Sequence, residues 1–223
     1  MKVFVIGANG RTGREIVELA RARGHQITAF VRSPETLAQV PATRVVRGDP
    51  QVADSIAQAL PGHDAVLSAI GPHLRDAFRP HTLLADCARA TVDAMTGGGV
   101  GRLAIVSAAV LFPEKGLEFA FFRWLLRHHA RDLREMERIV RTSNLAWTIA
   151  RPPRLTQSHE VNFVTARDAM PVGGRVMSFR SVAWFMLDAI EERSHVGEIV
   201  GLAPDPSSRL RVSARGPKMK VAS

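Results

Sequence analysis

Three glycines, Gly7, Gly10 and Gly13, follow directly on the short apolar run Val3 to Ile6. The residues after them, Arg14 to Arg23, have apolar side chains spaced for one inner face of a helix. A strand, a glycine-rich turn and a helix in this order are typical of a pyrophosphate-binding turn. The unpaired N–H groups at the start of the helix would then face the negative charge. A purely structural glycine turn is the alternative interpretation.

Each glycine has a separate expected role in this turn. Gly7 would end the strand in a conformation that suits a residue without Cβ, and Gly10 would let the backbone approach the phosphates. Gly13 would let the helix pack close to the sheet. The turn therefore predicts a set of cofactor-binding residues, which are Gly7, Asn9, Gly10, Arg11, Thr12 and Gly13.

The end of the second predicted strand bears on which dinucleotide binds. A site that prefers NAD often carries Asp or Glu there to hold the ribose 2′-hydroxyl, but this chain has Arg32. A guanidinium can bind a 2′-phosphate through two hydrogen bonds, and Arg11 could reach the same side. We therefore expect NADP(H) to be preferred over NAD(H). The alternative is that Arg32 is a solvated residue at the end of a strand.

Two further strand ends fit a dinucleotide site. Asp49 follows the third strand, where a carboxylate could accept a hydrogen bond from the adenine amino group. Small residues follow the fourth strand, where the backbone of Ala69, Ile70 and Gly71 could lie against the cofactor. A simple turn and a tight packing point are the alternatives for these two segments.

Short apolar runs alternate with amphipathic stretches along most of the chain, which predicts a parallel sheet with helical crossovers. We expect an α/β fold with a doubly wound parallel sheet (Rossmann) and a small irregular C-terminal substrate lobe. Residues 1–203 would form this domain, and residues 204–223 would be a loosely ordered tail. The predicted strands are Val3–Ile6, Gln26–Val31, Arg44–Arg47, Ala65–Ala69, Leu103–Ser107, Ala146–Ala150 and Glu198–Leu202. The predicted helices are Arg14–Arg23, Ala53–Leu60, Pro80–Thr96, Arg131–Thr142 and Val182–Glu192.

Composition narrows the class of protein. Apolar residues make up 46% of the chain and charged residues 23%, as in ordinary globular domains. With Cys87 as the single cysteine and no signal-peptide pattern, we expect a cytoplasmic protein. No apolar run reaches the roughly 18 residues that a membrane span needs. The net charge of +9 suits an anionic ligand, and nucleic-acid binding is disfavoured because the chain has no basic block or known motif.

Several motifs together resemble the atypical short-chain dehydrogenase/reductase family. They are GANGRTG at the first turn, FVRS at 30–33, GD at 48–49, SAIG at 68–71, IVSA at 105–108 and TIARPP at 148–153. Within that family, the chain is similar to the NmrA-like proteins and to relatives of flavin/biliverdin reductase B, over about residues 1 to 202. The resemblance implies that Ser107 lies near the nicotinamide, where it could act in catalysis. It also implies that Pro152 and Pro153 pass the carboxamide end.

One departure from the wider family limits the reaction. Many short-chain reductases use a Tyr-x-x-x-Lys pair as proton donor, but this chain contains no tyrosine. Reducing a ketone requires an acid close to the developing charge, whereas a flavin, quinone or bilin spreads that charge over a conjugated ring. We therefore expect NADPH-dependent hydride transfer to a small conjugated acceptor. A non-catalytic NADP(H) sensor of the NmrA-like type is the alternative.

Each of the remaining candidate residues could have either a functional or a structural role. His73, His128 and His129 could donate protons, or they could be surface residues. The aromatic stretch 117–126 could form a substrate wall, a dimer surface or a core helix. Asp132, Glu135 and Glu137 are expected on a solvated helix face. No residue pattern predicts a metal site, and the chain is expected to be a monomer or a homodimer.

Overall fold

A computed structural model describes residues 1–34, 42–71, 80–113 and 126–207. It contains a main sheet of eight strands in the order β3-β2-β1-β4-β5-β6-β10-β8, together with a two-stranded sheet, β7-β9. The strands are β1 (Lys2–Ile6), β2 (Gln26–Val31), β3 (Arg44–Arg47), β4 (Ala65–Ser68), β5 (Arg102–Val106), β6 (Ala146–Arg151), β7 (Arg154–Thr156), β8 (Val164–Arg167), β9 (Val176–Ser178) and β10 (Glu198–Ala203).

The described helices lie on both faces of the main sheet. They are α1 (Arg11–Ala22), α2 (Ala53–Ala57), α3 (Leu83–Gly98), α4 (Arg127–Arg141) and α5 (Phe179–Glu191). One apolar cluster lies between the sheet and α1 with α5, and a second lies between the sheet and α3 with α4. The alternation of buried side chains along β1 explains this division, because Val3 and Val5 join the first cluster while Phe4 and Ile6 join the second.

The order of the first six strands is that of a doubly wound dinucleotide-binding sheet. Strands β1 to β6 and β10 pair in parallel, and β8 pairs antiparallel to β10 at one edge. The strand order reverses between β1 and β4, which places a crevice beyond their carboxyl ends. The predicted fold class is therefore confirmed.

The segment after β6 is less irregular than the sequence indicated. It contributes β8 and β10 to the main sheet, and α5 covers one face of it. The short strands β7, β8 and β9 were not predicted, because three or four residues carry too little pattern to identify a strand. No helix in the described parts of the chain has the length and apolar character needed to cross a membrane.

Candidate functional site

The turn between β1 and α1 has the backbone geometry of a helix start that is open to a ligand. Gly7 has a φ of +82°, which is a left-handed conformation. Gly10 is the N-cap of α1, with φ −68° and ψ 163°, and its N–H donates to the Gly7 carbonyl at 2.9 Å. The helix begins at Arg11, three residues earlier than the sequence indicated. Arg11, Thr12 and Gly13 thus lie in its first turn, where backbone N–H groups have no carbonyl partner within the helix.

Two of the glycines have no room for a side chain. A Cβ on Gly7 would lie 2.9 Å from the Ala69 carbonyl oxygen, and one on Gly13 would lie 2.1 Å from the Gly7 carbonyl oxygen. Both neighbours are backbone atoms, so no side-chain rotation could relieve these contacts. The turn therefore holds β1, the start of α1 and the end of β4 closer together than any other residue type allows.

A cleft of about 330 Å³ lies at this turn, within the size range of small-molecule sites. It is formed by the carboxyl ends of β1, β2 and β4, which the pairing of Ile6 with Phe30 and Ser68 sets level. The predicted cofactor residues that line it are Gly7, Asn9, Gly10, Arg32, Ala69, Ile70 and Gly71. The lining residues that were not predicted as site residues are Phe30, Val31, Ser33, Pro50 and Leu83. Val31, Ser33 and Pro50 are each next to a predicted residue, and Phe30 lies two residues before Arg32. Leu83 carries no local signal.

Arg32 lines this cleft directly after β2, on the outer side of the turn. The neighbouring loop is held by Asn9, whose amide Nδ2 donates to the Ser33 carbonyl oxygen at 3.0 Å. This bond links the glycine turn to the segment that carries Arg32. The arrangement can present a guanidinium and backbone N–H groups to one anionic ligand.

Seven of the predicted cofactor residues do not line the cleft, namely Arg11, Thr12, Gly13, Asp49, Ser107, Pro152 and Pro153. The Arg11 guanidinium lies 4.6 Å from the centre of the Phe179 ring, stacked over it at the start of α5. Thr12 is buried in the first turn of α1. The Asp49 carboxylate accepts from the Gln51 N–H at 2.9 Å, so it closes a local turn beside Pro50.

Ser107 lies beyond β5 and is only 6% exposed. Its hydroxyl donates to Glu137 Oε1 at 2.5 Å. The same carboxylate accepts from Arg151 Nε at 2.8 Å and from Arg151 Nη2 at 2.5 Å. The expectation that Glu137 is solvated is wrong, because its side chain is 4% exposed and binds these two partners. Arg151 also stacks on Phe112, with its guanidinium carbon 4.7 Å from the ring centre.

Backbone hydrogen bonds join the ends of β5 and β6 at the same place. The Ser107 N–H donates to the Ala150 carbonyl at 2.7 Å, and the Ala109 N–H donates to the Pro152 carbonyl at 2.9 Å. Pro152 is buried and Pro153 is half-buried. Ser107 and the two prolines, which the sequence places far apart, thus form one edge of the sheet beyond β5 and β6.

A second buried carboxylate lies at the contact between α3 and α4. Asp132 accepts from the N–H groups of Leu84 and Ala85, each at 2.9 Å, and therefore caps the start of α3. The prediction of a solvated Asp132 is wrong because Asp132 is buried, whereas Glu135 is partly exposed, with 39% of its side chain open to solvent. His81 Nδ1 lies 2.8 Å from Asp132 Oδ2.

His129 packs against His81 in this cluster, with ring centres 5.8 Å apart. Burial lowers the pKa of His129, and the neighbouring His81 adds to this effect. His128 is partly buried on the adjacent position of α4. Proton donation by His128 or His129 stays a prediction. Among the described residues, no group of three or more His, Cys, Asp or Glu side chains is arranged to hold a metal ion.

Cys87 is a buried free cysteine on α3. Burial raises the pKa of its thiol to about 12, and the charge of Asp49 contributes to that rise. Two other candidates, His73 and nearly all of the aromatic stretch 117–126, lie outside the described residues.

The comparison with protein families agrees with this geometry. A family model described as NAD(P)H-binding matches residues 7–193, from the first glycine of the turn to just beyond α5. The chain belongs to this NAD(P)H-binding family. The resemblance to NAD(P)-binding reductases that the motifs indicated is thereby confirmed at the level of the family.

Relatives of this NAD(P)H-binding protein have varied names. It is 29% identical to an uncharacterised sugar epimerase, YhfK, of Bacillus subtilis, over 87% of this chain and 90% of that one. It is also similar to the solved structure of a Streptococcus pneumoniae protein whose proposed activity is that of an NADH-flavin reductase. Those two chains are 25% identical with a TM-score of 0.73, over 92% of this chain and all of the other.

Structures with lower identity show the same fold. An oxidoreductase of Lactococcus lactis, ylbE, has a TM-score of 0.78 with 19% identity, over 99% of this chain and all of that one. A short-chain dehydrogenase/reductase of Veillonella parvula, solved with NADP, has a TM-score of 0.73 with 19% identity, over 91% and 94% of the two chains.

Proposed function

We propose that this protein is an NADPH-dependent reductase of flavins, quinones or similar conjugated acceptors. The observation that carries the proposal is the glycine-lined cleft at the switch point of the sheet, with Arg32 at its outer wall. Bound NADPH would supply a hydride. The protein's part is to bind the cofactor, to orient its two ends and to place an acceptor beside it.

The residues of the glycine turn and Arg32 would divide the binding of NADPH between them. The N–H groups in the first turn of α1 suit the diphosphate, because they lack partners within the helix and lie at its positive end. Arg32 suits the 2′-phosphate, because it follows β2, where NAD-preferring sites carry an acidic residue. Arg11 is removed from this role in our proposal, since its guanidinium stacks on Phe179.

A conjugated acceptor is favoured by the absence of tyrosine from the whole chain. A sugar epimerase, the activity in the name of YhfK, must move a proton on and off a hydroxyl group and so requires an acid–base group at the reacting carbon. A flavin or quinone takes up hydride into a delocalised ring, and water can supply the later proton. The name of the Streptococcus pneumoniae relative is in keeping with this choice.

The test mixes the purified protein with NADPH and with FMN, riboflavin or a quinone, and follows NADPH oxidation by absorbance. We expect turnover with at least one acceptor and slower turnover with NADH. Binding of NADPH without turnover of any acceptor would favour the alternative, a non-catalytic NADP(H) sensor of the NmrA-like type. Absence of NADPH binding in calorimetry would contradict both.

The preference for NADPH is tested at Arg32. Replacing it in Arg32→Ser should weaken NADPH binding by roughly 10- to 100-fold, the value of a charge-assisted hydrogen bond, and leave NADH binding nearly unchanged. Arg44→Ser is the matched control, because Arg44 is exposed at the opposite end of the sheet. An unchanged ratio of the two dissociation constants in Arg32→Ser would refute the assignment of Arg32.

A further inference from the structure

The hydroxyl of Ser107 has a fixed direction of hydrogen bonding in this structure. A serine hydroxyl has one proton to donate and two lone pairs that accept. The proton of Ser107 is directed to Glu137 Oε1 at 2.5 Å. An ionised carboxylate has no proton to return, so the donor in this bond must be the serine.

Arg151 keeps Glu137 in that acceptor role. Its Nε and Nη2 both bind the carboxylate, at 2.8 and 2.5 Å, which is the two-point geometry of a strong arginine–carboxylate pair. The side chains of both residues are largely shielded from water, with 13% of Arg151 and 4% of Glu137 exposed. Breaking a shielded pair of this kind is costly, so the serine proton stays committed to the carboxylate.

The position of Ser107 places this hydroxyl toward the second half of a dinucleotide. Strands β1, β4 and β5 are neighbours, and Ile6, Ser68 and Ile105 lie in register across them. At about 4.8 Å per strand, β5 is roughly 10 Å from the glycine turn. Arg32 lies on the other side of that turn, beyond β2. With the 2′-phosphate at Arg32, the nicotinamide would extend toward β5 and β6.

We infer that Ser107 is a hydrogen-bond acceptor for the amide N–H of the nicotinamide carboxamide, and that Glu137 and Arg151 are positioning residues that hold it in this role. The inference rests on the proposed function, because it requires a nicotinamide cofactor. It assigns Ser107 to recognition of the cofactor, since a hydroxyl whose proton is held by Glu137 has none to give to an acceptor substrate.

A cofactor analogue tests this direction. In the reduced 3-acetylpyridine analogue of NADPH, a methyl ketone replaces the carboxamide, so the ring keeps its carbonyl and loses the amide N–H. We expect the wild-type protein to bind NADPH about tenfold more tightly than the analogue, as one lost hydrogen bond predicts. In Ser107→Ala, the two dissociation constants should become similar. Equilibrium binding measured by calorimetry is the readout, so no turnover is required.

A matched control and a second variant complete the test. Ser143→Ala removes a hydroxyl that bonds the Val140 carbonyl just beyond the end of α4, and it should keep the wild-type ratio of the two constants. Glu137→Gln removes the charge that holds the serine proton and should reduce the ratio. If Glu137→Gln does not fold, the comparison of Ser107→Ala with Ser143→Ala decides alone.

The outcomes separate this inference from the proposed function. If the wild-type protein binds NADPH but Ser107→Ala keeps the tenfold ratio, the assignment of Ser107 is overturned and the proposed function stands. If the wild-type protein binds NADPH and the 3-acetylpyridine analogue equally, Ser107 does not accept a hydrogen bond from the amide N–H. If NADPH does not bind at all, the proposed function fails, and this inference fails with it.

Discussion

The residue type at position 13 is restricted to glycine by a backbone atom elsewhere in the chain. The α-carbon of Gly13 faces the Gly7 carbonyl, and an added Cβ would lie 2.1 Å from that oxygen. The Gly7 carbonyl in turn accepts from the Gly10 N–H, so it cannot move without disturbing the turn. The glycine requirement is therefore steric, and it holds whether or not a cofactor is bound.

We expect Gly13→Ala to destabilise the protein by about 1–3 kcal/mol or more, because the added methyl must displace backbone atoms. The free energy of unfolding in urea measures this. Gly101→Ala is the matched control, since nothing lies within 4 Å of a Cβ built there and its backbone needs no left-handed conformation. Equal stability of the two variants would contradict the steric argument.

A side chain of α4 caps the start of α3. Asp132 on α4 accepts both the Leu84 and Ala85 N–H groups at the start of α3. N-cap carboxylates of this kind ordinarily come from the residue just before the helix. Here that position is Thr82, whose hydroxyl bonds Asp86 and does not cap the helix.

Replacing the capping carboxylate in Asp132→Ala should cost about 1–3 kcal/mol of stability, because two buried N–H groups lose their acceptor. Glu135→Ala, one turn along the same helix, is the control. Glu135 is partly exposed and bonds Arg138, so its loss should change stability much less than the loss of Asp132 does. Denaturant unfolding of both variants checks the difference, which should vanish if the cap contributes nothing.

Burial of His129, together with its contact with His81, makes the packing of α3 against α4 sensitive to acid. The pKa of His129 is lowered in the folded state, so the unfolded chain binds a proton more readily. The contribution of His129 to the free energy of unfolding is therefore fully present above about pH 6.5, the ordinary pKa of histidine. That contribution is lost as the pH falls toward the lower pKa of His129 in the folded protein. Asp132 opposes this effect, but burial and His81 exceed it.

We expect the wild-type protein to lose more unfolding free energy between pH 7.5 and pH 5.5 than His129→Gln does. The expected direction follows from removal of the group whose folded pKa is lowered. Urea unfolding at several pH values measures the two curves, with His128→Gln as the neighbouring control. Parallel curves for wild type and His129→Gln would show that His129 does not carry the effect.

At the scale of the whole molecule, Arg102 joins parts of the chain that are far apart in sequence. It lies at the start of β5, is 5% exposed, and donates to oxygens of Ala146, Thr148, Ala189 and Ser194 at 2.6–3.0 Å. These partners belong to β6, to the end of α5 and to the turn that follows. Burial lowers the pKa of Arg102 to about 10, and nearby Arg193 contributes.

Arg102→Lys replaces the guanidinium by an ammonium, which cannot reach all of these oxygens. The free energy of unfolding should therefore fall by about 1–3 kcal/mol. The NADPH affinity should be unchanged, since Arg102 lies at the opposite end of β5 from the cleft. Thermal unfolding and calorimetry measure the two quantities. A loss of affinity without a loss of stability would contradict this assignment.

Much of the fold could be predicted because its signals are local. The glycine triplet, the apolar runs of β1, β2 and β4, and the residues just beyond them occupy short contiguous segments. A parallel sheet brings such strand ends to one edge, so a list of strand ends already contains most of the cleft. Leu83 was missed because it reaches the cleft from the start of α3.

The roles of charged residues on α4 could not be predicted in the same way. Asp132 and Glu137 are buried beside Leu133, Met136 and Val140 on the inner face of α4, but the sequence does not show the partners that compensate their charges. Hydrogen-bond partners distant in sequence distinguish the two buried carboxylates from Glu135. The partners of Asp132 lie 47 and 48 residues away, and those of Glu137 lie 14 and 30 residues away. Arg102 likewise differs from other arginines only through the carbonyls that surround it.

The sequence by itself determined the class of fold, the place of the glycine turn and the strand ends that form the cleft, because periodicity and steric limits act over a few neighbouring residues. Only the tertiary structure decided which charged side chains are buried and which way the Ser107 hydroxyl points. Burying a charge or a hydroxyl is favourable only when a matching group meets it. Such groups are brought together by packing across the whole chain.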